Sequence, residues 1–244
     1  MLFRSVFLSL FFFYFRQVNF IKINFFLFFF QLLFFGKIQE DVHMKAIVFA
    51  GNSHSKRLYF AARRCLVKEK YYLKNYAIPG SKAQDIQFPE IVFKEKNIIT
   101  VVQTTGNDLF ARRNLFRGKQ DGILHMHKLE FTPPEKVEKI FADLKSILCR
   151  IKGKVIFVTN PYRHMCCPNQ RKKNLLGYQA AINRKIKQYF ADLPNVKVVD
   201  HRKVLGKPVS FYSIAPLYAS LLPDSVHFSK DIYDNIIRNL EKYF

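Results

Sequence analysis

From residue 44 onward, short apolar runs alternate with longer stretches in which apolar residues recur every three or four positions. The first kind predicts buried strands and the second amphipathic helices. Their alternation predicts a parallel sheet covered on both faces. Lys45 to Ala50 is the first strand. Ser55 to Tyr71 follows as a helix with Leu58, Ala61, Ala62 and Cys65 on one side, and a short strand near Lys74 to Ile78 ends at Pro79-Gly80. Asn97 to Gln103 is the most apolar strand and opens onto Thr104-Thr105-Gly106-Asn107-Asp108. Pro133-Pro134 begins a helix whose stripe is Val137, Ile140, Leu144, Ile147 and Leu148, and Gly153 closes it. Val155 to Thr159 is the next strand, a long helix spans about Asn174 to Asp192, and Val196 to Val199 is the last strand. Ser229 caps a terminal helix with Asp231 in its first turn. The expected fold class is α/β: a three-layer α/β/α sandwich around a five-stranded, mostly parallel sheet. In open sheets of this kind ligands sit beyond the carboxyl ends of the strands. Gly51 to Ser55, Gly80, Gly106 to Asp108 and the loop in the 160s all follow strand ends, so they are expected on one rim.

Before Met44 the hydrophobic pattern changes character. The first 35 residues hold 14 of the 27 Phe, in runs Val6 to Phe15 and Phe25 to Phe35 split by Arg16 and Lys22. Each run is shorter than the about 20 residues of a spanning helix, and the central cations make insertion of the whole costly. Three readings stay open: a membrane anchor, a signal peptide with Arg4 as its basic end but no small-residue cleavage site, and translated non-coding sequence ahead of a true start at Met44. The expected organisation is therefore a leader, 1–43, and an α/β domain, 44–244. A start at Met44 implies the cytoplasm; a genuine leader implies a membrane-anchored or secreted protein. The cysteines, Cys65, Cys149 and the neighbours Cys166-Cys167, form no disulfide framework and lean toward a reducing compartment.

Forty Lys and Arg against 18 Asp and Glu give a formal net charge of +22, which would attract a polyanion such as nucleic acid. The cations are scattered, however: Arg63-Arg64, Arg112-Arg113, Arg150 to Lys154, Arg171 to Lys173 and Arg184-Lys185. Five short clusters on several elements fit solvated faces better than one groove, so nucleic acid is a secondary expectation.

The candidate chemistry is a hydroxyl, a carboxylate and an imidazole in the order Ser, Asp, His. Ser53 lies directly after the first strand, and Asp224 precedes His227 by three residues, one turn apart. Acyl transfer needs this set: a weak nucleophile, a base to take its proton, and an acid group to orient the base. Imidazole titrates near neutral pH and suits the second role.

The order of these pieces resembles the SGNH (GDSL-type) hydrolase family, over Met44 to Phe244. The family's first block places a serine after Gly-Asp; Gly51-Asn52-Ser53 matches with Asn for Asp. Its second contributes a glycine after the second strand, which Gly80 fits. Its third, Gly-x-Asn-Asp, lines up with Thr105-Gly106-Asn107-Asp108, with Thr for the first glycine. Its fifth, Asp-x-x-His, is Asp224 to His227. The resemblance implies a flavodoxin-like sheet, Ser53 as nucleophile, His227 as base and Asp224 as its partner. It further implies an oxyanion hole from the Ser53 and Gly80 amides with the Asn107 side chain, and no metal or organic cofactor.

Rival sites are poorer. Gly51 to Ser55 imitates the Gly-x-Ser-x-Gly elbow but lacks the last glycine. His125 with His127, and His164 with Cys166 and Cys167, lack a convincing metal-ligand spacing. The expected function is hydrolysis of a carboxylic ester, with a short acyl group, by a serine esterase whose partner is a small ester substrate. The basic segment Leu109 to Thr132 would border the site and favour anionic substrates. The alternatives are a weak or inactive SGNH-like module that binds a polyanion, in the manner of SGNH-like domains of some retrotransposon proteins, and an acyltransferase with the same triad.

Overall fold

The computed structural model describes residues 44–108, 119–120, 123–124, 131–162, 169–204 and 226–244, with backbone alone at 119–120, 123–124, 169–176 and 204. The five main strands are β1 (Lys45–Gly51), β2 (Tyr71–Asn75), β3 (Ile98–Gln103), β4 (Val155–Val158) and β5 (Val196–Val199). The helices are α1 (Ser53–Cys65), α2 (Ile91–Lys94), α3 (Pro134–Leu148), α4 (Asn169–Tyr189), α5 (His201–Val204) and α6 (Lys230–Leu240). A separate antiparallel pair joins Lys119–Gln120 to Ile123–Leu124.

All neighbouring strands of the main sheet pair in parallel, in the order β2-β1-β3-β4-β5. Side chains alternate along each strand, so each apolar run feeds two cores at once. Ile47, Phe49, Ile99, Val101, Ile156 and Val158 pack under α1 and α6, against Leu58, Ala61, Ala62, Ile236 and Ile237. Val48, Val102, Val155 and Phe157 face the opposite way, onto Val137, Phe141 and Leu144 of α3 and Ile182 and Ile186 of α4. Those two cores make the three layers expected from the sequence.

Local boundaries differ where long-range pairing wins. The helix expected over 55–71 ends at Cys65, and the strand expected near 74–78 lies at Tyr71–Asn75. After Leu66 the chain turns, Lys70 N donating to Val67 O, and Lys45 N donates to Lys70 O. That bond starts the β1–β2 register at Lys45 opposite Tyr71 and leaves no helix beyond the turn. The long helix begins at Asn169, five residues before the expected start. In α3 the fully buried stripe runs through Phe141, outside the expected stripe, while Ile140 and Ile147 are half-buried. Ser229 does occupy the cap position of α6, but its side chain makes no capping bond.

The apolar runs and cations of the leader lie outside the described residues, so membrane attachment through residues 1–35 stays an expectation. Among the described residues no helix is long and apolar enough to cross a membrane.

Candidate active site

The sheet order reverses direction between β1 and β3, and the loops leaving those two strands diverge there. Gly51 ends β1 at φ 126°, and a Cβ built on it would meet the Gln103 carbonyl oxygen at 2.2 Å. Only glycine lets β1 approach β3 this closely and then swing into α1. Asn52 caps α1, its Oδ1 accepting from His54 N at 3.0 Å, so Ser53 falls on the first helical residue. Amides in that position have no partner within the helix and point outward. Ser55, farther along the first turn, faces inward. Its hydroxyl donates to the Ala50 and Gln103 carbonyls and accepts from Gln103 N, tying α1 to the ends of both strands.

The Pro79-Gly80 step forms a tight turn in which Gly80 has φ 80° and Ser81 N donates to Ile78 O. Proline then a positive-φ glycine is the pattern of a type II turn. The turn is moored to the end of β1: Ile78 N donates to Gly51 O at 2.8 Å, and Ser81 Oγ donates to the same oxygen at 3.2 Å. The loop after β3 is tied to the turn in its own way. Asn107 Nδ2 donates to Ser81 O at 2.8 Å, which fixes the amide end of that side chain toward the turn. Both Asp108 carboxylate oxygens accept from Ala83 N, at 3.0 and 3.2 Å. Burial pushes the Asp108 carboxyl up to about 6 despite that amide, which favours its ionised form. Ser53, Gly80 and Asn107, far apart in the chain, are thus linked through Gly51 and Ser81.

His227 comes from the segment leading into α6. Its Nε2 lies 2.8 Å from Ser53 Oγ, within hydrogen-bond distance. Asp224 lies outside the described residues, as do His125, His127, His164, Cys166, Cys167, Arg112 and Arg113.

No protein-family model matches the sequence, and no curated protein matches it. Solved structures do match. A candidate SGNH hydrolase from Slackia heliotrinireducens aligns at TM-score 0.50 and 14% identity, over 82% of this chain and 97% of that one. A variant of an acetyl-xylooligosaccharide esterase from Geobacillus stearothermophilus aligns at TM-score 0.50 and 16% identity, over 81% and 93%. A Bacteroides fragilis protein described as a candidate acylhydrolase aligns at TM-score 0.50 and 18% identity, over 82% and 86%. The chain has the SGNH hydrolase fold.

Within that fold the two departures from the SGNH pattern take on physical meaning. Thr105, at the position of the third block's first glycine, has φ 71°, a conformation a β-branched residue rarely adopts. Two hydrogen bonds hold it there: Thr105 Oγ1 donates to Thr104 O, and Asn160 Nδ2 donates to Thr105 Oγ1, both at 2.6 Å. The sequence carried a signal for this strain, because a glycine position commonly marks positive φ. Asn52, in place of the usual acid, is 1% exposed and keeps the capping oxygen; its Nδ2 is buried without a partner among the described residues. Nothing in the sequence pointed to His54, whose ring packs beside His227, or to Tyr233, which bonds to it.

Proposed function

We propose that the protein is a serine esterase that hydrolyses a carboxylic ester through an acyl-Ser53 intermediate. The observation that carries this reading is the 2.8 Å approach of His227 Nε2 to Ser53 Oγ at the switch point of the sheet. Ser53 Oγ attacks the ester carbonyl while His227 Nε2 takes its proton. The tetrahedral oxyanion is received by the Ser53 and Gly80 amides and Asn107 Nδ2, a role supported by the bonds that tie the Gly80 turn to Gly51 O and Asn107 to Ser81 O. Collapse expels the alcohol, which leaves with the proton from His227. Water then attacks acyl-Ser53, His227 taking a proton from it, and release of the acid restores the serine. Asp224 is assigned to the second ring nitrogen of His227, a role supported by its place three residues upstream. The acetyl-sugar esterase among the structural neighbours supports a short acyl group.

A fluorophosphonate probe, followed by p-nitrophenyl acetate hydrolysis, tests the assignment. The wild-type protein is expected to be labelled on one serine and to turn over the ester. Ser53→Ala is expected to lose the label and at least about 10³-fold in kcat. A folded wild-type protein that takes no label, or a Ser53→Ala variant that keeps it, overturns the reading.

A further inference from the structure

The residue after the nucleophile is a second histidine, and it is not on the surface. His54 is 2% exposed, its ring centroid 4.9 Å from that of His227 at a 45° tilt. Its Nδ1 lies 2.6 Å from the Tyr233 hydroxyl of α6, itself buried. Two consecutive residues at the start of α1 therefore grip two residues six positions apart around the start of α6: Ser53 with His227, and His54 with Tyr233. Phe228, next to His227, packs edge-on against Tyr233 with centroids 5.7 Å apart, and Arg64 pairs with Asp234 farther along the same two helices. An imidazole can pivot about its Cβ–Cγ bond unless its faces are packed. A second ring laid against it opposes that motion.

We infer that His54 is a positioning residue for His227. Anchored by the Tyr233 phenol, it braces the His227 imidazole in the rotamer that aims Nε2 at Ser53. The inference rests on the esterase reading for its kinetic consequence but not for its geometric one. A buried histidine hydrogen-bonded to a buried tyrosine could serve packing alone; the closeness of its ring to that of His227 is what sets it apart.

Three variants separate bracing from folding. Tyr233→Phe keeps the ring and removes only the anchoring oxygen; His54→Phe removes the anchored nitrogen, so its bulkier ring is no longer held at the angle it takes beside His227. With p-nitrophenyl acetate, both are expected to lower kcat, by about 10- to 100-fold for His54→Phe and less for Tyr233→Phe, with KM within about twofold. His54→Gln, which can still accept from Tyr233, is expected to recover part of the hydrogen bond but not the ring face, and to fall below wild type. The imidazole ¹⁵N and ¹H resonances of His227 are recorded on the same proteins. They are expected to move or broaden in Tyr233→Phe as the ring samples other rotamers, even if the unfolding temperature holds. Unchanged His227 resonances, or an unchanged kcat in folded His54→Phe, would overturn the brace. If wild type turns over no ester, the resonances still decide the brace while the esterase reading falls alone. If Ser53-dependent turnover is normal in every variant, the brace falls and the esterase reading stands.

Discussion

Two places on the same rim of the sheet hold a hydroxyl against an imidazole, and they could hardly differ more. At the β1 end, Ser53 meets His227, both partly exposed. At the β5 end, Thr159 Oγ1 meets His201 Nδ1 at 2.9 Å and also accepts from His201 N, and Asp200 Oδ1 is 3.8 Å from the ring. By residue type the second set is as good a triad as the first. Its setting is not. His201 is 1% exposed, packed edge-on to Tyr162, and burial drives its imidazole down to about 3, against the opposing pull of Asp200. Burial alone would raise the Asp200 carboxyl, but hydrogen bonds from Arg202 and Lys187 outweigh it and hold the group well below the usual carboxylate range. An imidazole kept neutral and a carboxylate already committed to two cations cannot pass a proton on demand. Reactive groups are made by access and by an unspent partner, not by composition.

Substitutions on each side should separate the two sets. Asn107→Ala removes a donor proposed to serve the oxyanion and is expected to cost about 10²–10³ in kcat with p-nitrophenyl acetate, while the lost bond to Ser81 O costs only about 0.5–1.5 kcal/mol of stability. Thr159→Val does the reverse: it removes the hydroxyl that bonds both the Nδ1 and the backbone N of buried His201, costing about 1–3 kcal/mol of stability in urea unfolding, while fluorophosphonate labelling of Ser53 persists.

The pH dependence of stability should carry the mark of His201. A base whose folded value lies near 3, below an ordinary 6.5, binds fewer protons folded than unfolded, so its contribution is present above pH 6.5 and is lost as pH falls toward 3. Denaturant midpoints measured across that window are expected to fall with pH, and to fall less steeply in His201→Phe. Asp108 works in the opposite sense. Its folded value of about 6 lies above the ordinary 3.8, so its contribution is full below about pH 4 and is lost as pH rises to 6. Asp108→Asn is expected to flatten that limb and to raise stability at pH 7 by at most about 3 kcal/mol, at roughly 1.4 kcal/mol for each tenfold change in proton affinity. Smallest of all, Thr105→Gly exchanges about 1–3 kcal/mol of backbone strain for the two hydrogen bonds of the Thr105 hydroxyl, to Thr104 O and from Asn160, and calorimetry should find the net change within about 1 kcal/mol.

The strands β1, β3 and β4 were legible because a buried parallel strand is a short apolar run bounded by turn residues, as 45–50, 97–103 and 155–159 are, and the edge strand β5 because three of its four residues are valine. Ser53, Gly80 and Asn107 were legible as strand-end residues in a known order. The end of α1 was not: nothing between Cys65 and Tyr71 stops a helix locally, and the bond from Lys45 to Lys70 that sets the register comes from a neighbouring strand. Nor was the pairing of His54 with Tyr233, 179 residues away.

Period and punctuation, which are local, therefore determined the layers, the rim and the residue types available there. Distance and burial decided the rest: which hydroxyl faces which imidazole, and that Asp108 is buried and His201 neutral. Those outcomes belong to the tertiary structure because desolvation and hydrogen-bond competition depend on every element packed around a group, and no stretch of chain contains its own surroundings.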